Sequence, residues 1–208
     1  MKLHLFNFKS PLEWMINAHG EDSLKKLLLL LSLLTVMPAH ASFLIGINSG
    51  YHSTSDGNTN FTFDDMINHG FIGASVGKRD QLYIGQNFSY QTTTYKTTGN
   101  DKISALELGP RLNYYFNADK TVLFMLAWNP YAKGTRTTAA GASQEVSGWS
   151  YLAGLGYEIK INSSFYAGAS IMYHSLNITK YEVNSTSTTV SQAYTSISPM
   201  INMSFRFR

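Results

Sequence analysis

The stretch YHSLN, from Tyr173 to Asn177, sets a histidine beside a serine, the pair from which a nucleophile and its base could be built. It lies in a run, FYAGASIMYH, that alternates apolar and small or polar residues. Alternation by two sends neighbouring side chains to opposite faces of a strand. His174 and Ser175 then cannot share a hydrogen bond, and no catalytic residue is assigned. Six ionisable residues form a second constellation. Glu107, Arg111, Glu158, Lys160, His174 and Arg206 each fall on the polar face of such a run. Both signs are present, and buried charges must pair to offset desolvation. They read as a structural network filling a narrow interior, with a proton or ion path as the alternative. Glu107 and Arg111 are four residues apart on one face, about 13 Å along a strand at ~3.3 Å per residue. Each therefore needs a partner from another strand. Arg111 is expected to pair with Glu158 or Glu107, and Arg206 or Lys160 with a remaining carboxylate.

Other chemistries find little support. The 208 residues contain no Cys, so neither a disulfide framework nor a thiolate metal site can form, and no metal or cofactor site is read. A net charge of +3 with 14% charged residues is no footprint for nucleic acid. Gly154-Leu155-Gly156 lies inside an alternating run with no helix after it, so its glycines relieve crowding or permit curvature rather than cradle phosphate. Asn177-Ile178-Thr179 and Asn184-Ser185-Thr186 match the N-glycosylation acceptor, in Ser/Thr-rich stretches where such triplets arise by chance.

The elements that position these residues repeat with a period of two from Phe43 onward. Eight runs are read. One face takes Phe43, Ile45, Ile47 and Tyr51, then Ile72, Ala74 and Val76, then Leu82, Ile84, Phe88 and Tyr90. ALELGPRLNYYF is the clearest, with Leu106, Leu108, Pro110, Leu112, Tyr114 and Phe116 opposite Glu107, Gly109, Arg111, Asn113 and Tyr115. Val122, Phe124, Leu126 and Trp128 continue the apolar face, as do Trp149, Tyr151, Ala153, Leu155, Tyr157, Ile159 and Ile161. The seventh run adds Phe165, Ala167, Ala169, Ile171 and Tyr173; the eighth adds Ile197, Pro199, Ile201, Met203, Phe205 and Phe207. Runs of roughly 9–12 residues suit tilted strands crossing a bilayer. Pro110 and Pro199 each lack a ladder donor and are expected at bulges.

Short and long connections alternate strictly. KRD, NADK and NSS are tight turns, while about 53–65, 96–101, 134–146 and 178–190 are read as long polar loops. In a meander this puts every short turn at one end, an asymmetry of transmembrane barrels. The last run alternates to the final residues and would expose an edge unless it paired with the first. The fold class is therefore all-β: an eight-stranded antiparallel up-and-down transmembrane β-barrel over 42–208. The apolar face should carry two aromatic belts. Phe43, Tyr114, Phe116, Phe165, Phe205 and Phe207 mark the turn side. Tyr51, Tyr90, Trp128, Trp149 and Tyr173 mark the loop side.

Residues 1–41 differ. Lys25-Lys26, the apolar Leu27 to Met37 and Ala39-His40-Ala41 have the layout of a cleaved secretory signal peptide. Residues 1–23 ahead of it are expected to reflect a mis-assigned start at Met1, with Leu24 encoded by an alternative initiation codon.

The signal peptide, LELGPRLNYYF, YLAGLGYEI and the aromatic-rich final strand together resemble the small eight-stranded outer-membrane barrel family, which includes OmpX, the OmpA membrane domain and OmpW-like barrels. The resemblance implies the outer membrane of a Gram-negative cell envelope, with outer-membrane lipids and lipopolysaccharide as surroundings. It implies Phe205 and Phe207 as the signal read by the barrel-assembly machinery, although Arg208 follows where the family ends on the aromatic. It implies a monomeric, non-enzymatic structural or surface-interaction scaffold with a polar, plugged lumen. The alternatives are a small pore or hydrophobic-compound channel, and a lipid A-modifying enzyme. Deacylases of this barrel size carry H-x-S-N, which sets His and Ser on one face; YHSLN departs from it.

Overall fold

The computed structural model describes residues 41–54, 63–77, 79–96, 101–183 and 186–207. The leader and signal-peptide readings lie outside these residues, Ala41 excepted, as do most of the 53–65 and 96–101 loops and Arg208. Eight strands follow in chain order: β1 Phe43–Thr54, β2 Phe63–Val76, β3 Leu82–Tyr95, β4 Asp101–Tyr115, β5 Val122–Thr137, β6 Ser143–Lys160, β7 Phe165–Val183 and β8 Thr186–Phe207. Each pairs antiparallel with its sequence neighbours, and β1 pairs with β8 from Phe43↔Phe207 to Ser49↔Ile201. The sheet is a closed barrel. β8 is thus hydrogen-bonded on both sides near its end and is no edge.

The period of two sorts the faces. Ile45, Ile72, Ile84, Leu126, Leu155, Ile171 and Ile201 stand exposed on the outside, while Glu107, Arg111, Asn129, Ser150, Glu158 and His174 are buried inside. On the outer wall, Phe165 packs tilted against Phe205 at 4.9 Å and Tyr114 meets Phe116 edge to face at 5.1 Å near the short turns. Toward the loops, Tyr151 contacts Trp149 at 5.9 Å and Tyr173 at 5.8 Å. Rings with a polar tip suit that interface because one end stays wet.

Two expectations need correction. The segments 134–146 and 178–190 are not loops: β5 runs to Thr137, β6 starts at Ser143, β7 runs to Val183 and β8 starts at Thr186. β2 likewise begins at Phe63, inside the stretch assigned to a loop. The strands, 12 to 22 residues long, rise beyond the outer apolar band as paired hairpins. Thr and Ser dominate there; Thr favours extended backbone, and with both faces polar no hydrophobic alternation marks the strand.

The prolines divide. A register shift flanks Pro110, between Leu108 and Arg111, but the extra residue sits opposite, in β5. It recurs between Asn129 and Ala132 against β6, so the bulge centres on Pro130 and Tyr131, both exposed. Pro199 lies at no bulge; it pairs in register with Ile171. Its carbonyl points at β1, where a Cβ on Gly50 would lie 2.7 Å from it. The β1–β8 ladder stops at Ser49↔Ile201, so the missing Pro199 donor faces an edge where the ladder has already ended.

Candidate functional site: the filled lumen

Glu158 of β6 points inward near the short-turn end. It accepts from Arg206 Nη2 of β8 at 2.6 Å, Ser204 Oγ at 3.0 Å and Tyr115 OH of β4 at 3.2 Å. The Arg206 guanidinium lies between two rings, 4.2 Å from the Tyr115 centroid and 3.6 Å from that of Tyr166. Stacking of this kind favours Arg over Lys, because the planar guanidinium is weakly hydrated on its faces. The ion pair spans β6 to β8 across the intervening β7.

Deeper inside, Arg111 finds no carboxylate among the described residues. Its Nη2 donates to Asn48 Oδ1 of β1 at 2.9 Å, its Nε to Asn113 Oδ1 at 2.8 Å and its Nη1 to Asn87 Oδ1 at 3.4 Å. The guanidinium also lies 5.2 Å from the Phe71 centroid. Asn48 Nδ2 donates onward to Asn202 Oδ1 at 2.6 Å, which also accepts from Ser170 Oγ at 2.7 Å. The expected pairing of Arg111 with Glu158 or Glu107 is therefore corrected: amide oxygens satisfy it. Glu158 is taken by Arg206, and Glu107 by a histidine.

Glu107 Oε2 lies 2.8 Å from His174 Nε2, with the two side chains reaching from β4 to β7 across the lumen. The same oxygen accepts from Ser150 Oγ, and from Asn129 Nδ2 at 3.4 Å. Asn87 Nδ2 donates to Asn129 Oδ1 at 3.0 Å and to Ser89 Oγ at 2.7 Å, and Ser89 Oγ lies 2.7 Å from His69 Nδ1. The His69 and His174 rings are 5.7 Å apart. Glu107, His69 and His174 are all fully buried. A low local dielectric strengthens each of these bonds and makes each broken one costly.

Apolar layers interleave with the polar ones, so the lumen is not polar throughout. Leu44, Phe71, Tyr83, Leu123, Met125, Leu152, Met172 and Met200 cluster in the turn half. Ile103, Ala105, Val146, Leu176, Ile178 and Tyr194 form a second cluster on the loop side of Glu107 along β4. Of the six residues assigned inward, Lys160 is the exception: it is exposed at the turn-side mouth and makes no ion pair among the described residues. Sequence reasoning missed Asp65 and His69. Continuing the alternation backward from Ile72 would have placed Met66 outside and Asp65, Ile67, His69 and Phe71 inside. Asn48, Asn87, Asn113, Asn129 and Asn202 connect the network.

His174 points into the lumen, whereas Ser175 faces outward and bonds Asn177 and Thr195. The serine–histidine pair that does form, Ser89 with His69, lies in the packed interior. Within the described residues no three His, Asp or Glu side chains converge on a metal position.

An apolar outer wall with two aromatic belts and closure by β1–β8 are the requirements of a barrel in lipid. A family model for an outer membrane protein β-barrel domain matches residues 27–195. The chain belongs to that family. This outer-membrane barrel resembles solved structures at low identity. Neisserial surface protein A is 10% identical over 80% of this chain and 95% of its own, with a TM-score of 0.45. The β domain of the Bordetella autotransporter BrkA is 11% identical over 81% and 99%, with a TM-score of 0.42. AlkL, determined in lipid bilayers, is 13% identical over 81% and 89%, with a TM-score of 0.40. No curated protein matches the barrel by sequence.

Proposed function

We propose that this outer-membrane barrel is a non-enzymatic scaffold, monomeric in the membrane, whose filled lumen makes it rigid and whose raised hairpins form its contact surface. The observation that carries the reading is the bridging of facing walls. Glu107 meets His174 at 2.8 Å and Arg111 meets Asn48 at 2.9 Å, with all four side chains buried. Eight strands leave an interior just wide enough for side chains, and these occupy it. Lipid and lipopolysaccharide surround the outer wall in this reading, and Phe205 and Phe207 serve the assembly machinery.

The small-pore alternative draws on one feature. Asp65 Oδ2, Gln91 Oε1, Glu107 Oε1, His69 Nε2 and His174 Nδ1 are buried and find no hydrogen-bond partner among the described residues. Such groups ordinarily need a partner, and permeating water would supply one. Single-channel recording in planar bilayers separates the two. The scaffold gives no unitary steps. Discrete steps that grow in Arg111→Ala would move the pore reading ahead. Mass spectrometry of lipid A from expressing and non-expressing cells tests the enzyme alternative, and the scaffold leaves that spectrum unchanged.

A further inference from the structure

The turn-side mouth of the barrel holds a cavity of about 280 Å³ that the lumen network does not use. Ser42, Tyr83, Lys120, Lys160, Tyr166 and Arg206 line it. Arg206 donates Nη2 to Glu158, but its Nε and Nη1 are buried with no partner among the described residues, and the residue is only 8% exposed. Tyr115 and Tyr166 hold the guanidinium plane between their rings, so these two donors cannot swing elsewhere. Lys160 is exposed on the rim and has no ion pair among the described residues. Lys120 stands 3.8 Å from Asp80, which Ser75 holds in turn at 2.7 Å. Ser42 Oγ and Tyr83 OH lie 3.0 Å apart, so one hydroxyl proton serves their mutual bond and the other is left to donate. Among the described residues lining the cup, Lys120 pairs with Asp80 and Arg206 with Glu158, and Lys160 adds a third cation.

We propose that this cup binds a phosphate group, free or at the head of a phospholipid of the surrounding leaflet. A guanidinium, an ammonium and a hydroxyl approaching from different walls suit a tetrahedral oxyanion better than a planar carboxylate. Phe207 argues for access from lipid: it lines the cavity while its ring is exposed in the outer turn-side belt.

The test follows the Arg206 side-chain Nε–H signal by NMR in octyl glucoside, a detergent without phosphate, as inorganic phosphate is added. The signal should move and saturate. In the Lys120→Asn/Lys160→Met double variant the affinity should fall about tenfold or more, as expected for losing charge-assisted hydrogen bonds. Asn suits position 120, whose φ of 56° lies in the left-handed region. Neither side chain belongs to the lumen network, and an amide spectrum unchanged away from Asp80 checks that the variant folds. A second arm uses phosphatidylglycerol nanodiscs. A signal already shifted there, and insensitive to added phosphate, identifies the headgroup as occupant. A signal that starts unshifted and moves on addition identifies free phosphate. No movement in either medium, or equal movement in the double variant, overturns the proposal.

Discussion

Arg111 shows how a buried cation can be held without a counter-carboxylate. Three amide oxygens, from Asn48, Asn87 and Asn113, divide its donors, and Phe71 lies against its face. Removing the side chain strands these amides in a dry layer. Arg111→Ala should destabilise the barrel by roughly 2–5 kcal/mol, since each amide oxygen left buried without its donor costs about 1–3 kcal/mol. Urea unfolding from lipid vesicles measures it. Arg79→Ala, in the exposed β2–β3 turn, is the control and should shift stability by less than about 0.5 kcal/mol. Arg136 cannot serve as that control, because it lies on β5, pairs with Asp101 at 2.7 Å and stacks 5.5 Å from Tyr181. Equal losses at Arg111 and Arg79 would refute a structural network.

At the scale of the strand, the outer face and the raised hairpins obey different rules. Leu155 is exposed on β6 within the lipid-facing band. Leu155→Arg should cost about 2–4 kcal/mol if it sits near the bilayer midplane, and folding yield into vesicles reports it. Folding as efficient as the parent's would reverse the face assignment. Above the band, ion pairs replace apolar contact. Arg136 Nη2 donates to Asp101, and Ala139 N donates to the same carboxylate, tying the β4–β5 hairpin. The guanidinium beside Asp101 holds its carboxyl below the usual carboxylate range. A lowered folded pKa adds stability above the unfolded value, about 3.9, and that stability is lost as pH falls through the folded value. Water screens this pair, so Asp101→Asn should lose about 0.2–1 kcal/mol at neutral pH. The gap from the parent should close on acidification. A gap that stays constant with pH would show that the pair contributes no linkage.

For the whole molecule, closure is complete but uneven. The β7–β8 ladder extends from Phe165↔Phe205 to Val183↔Thr186, whereas β1–β8 ends at Ser49↔Ile201. Since the Pro199 carbonyl faces Gly50, the backbone groups of Ile197 and Thr195 face β1 as well, past the end of the ladder. Those of Ser196 and Ser198 face β7. Amide hydrogen exchange in detergent should therefore be faster at Ile197 and Thr195 than at Ser196 and Ser198. Equal protection would show that the seam is zipped along its full height in solution. The same geometry explains why Pro199 is tolerated in a strand buried between two neighbours.

Alternation alone determined which side chains meet lipid. Once a strand crosses a bilayer, a one-residue slip would put its whole apolar set in the lumen, so the faces of Leu106 to Phe116 and Ile197 to Phe207 were legible. Tight turns alternating with longer polar stretches pointed to the meander and its two ends, although the polar stretches 134–146 and 178–190 are largely strand. Strand length was not legible above the membrane. There both faces are polar, and only the packing of Tyr95, Tyr181 and Val190 against the loop-side cluster reveals that the chain stays extended. Nor could partner choice be read. Spacing along β4 required Arg111 and Glu107 to look to other strands, but which strand lies opposite at a given height follows from the tilt and stagger of the closed sheet. That stagger brought His174 to Glu107 and Arg206 to Glu158, and left Arg111 to Asn48, Asn87 and Asn113.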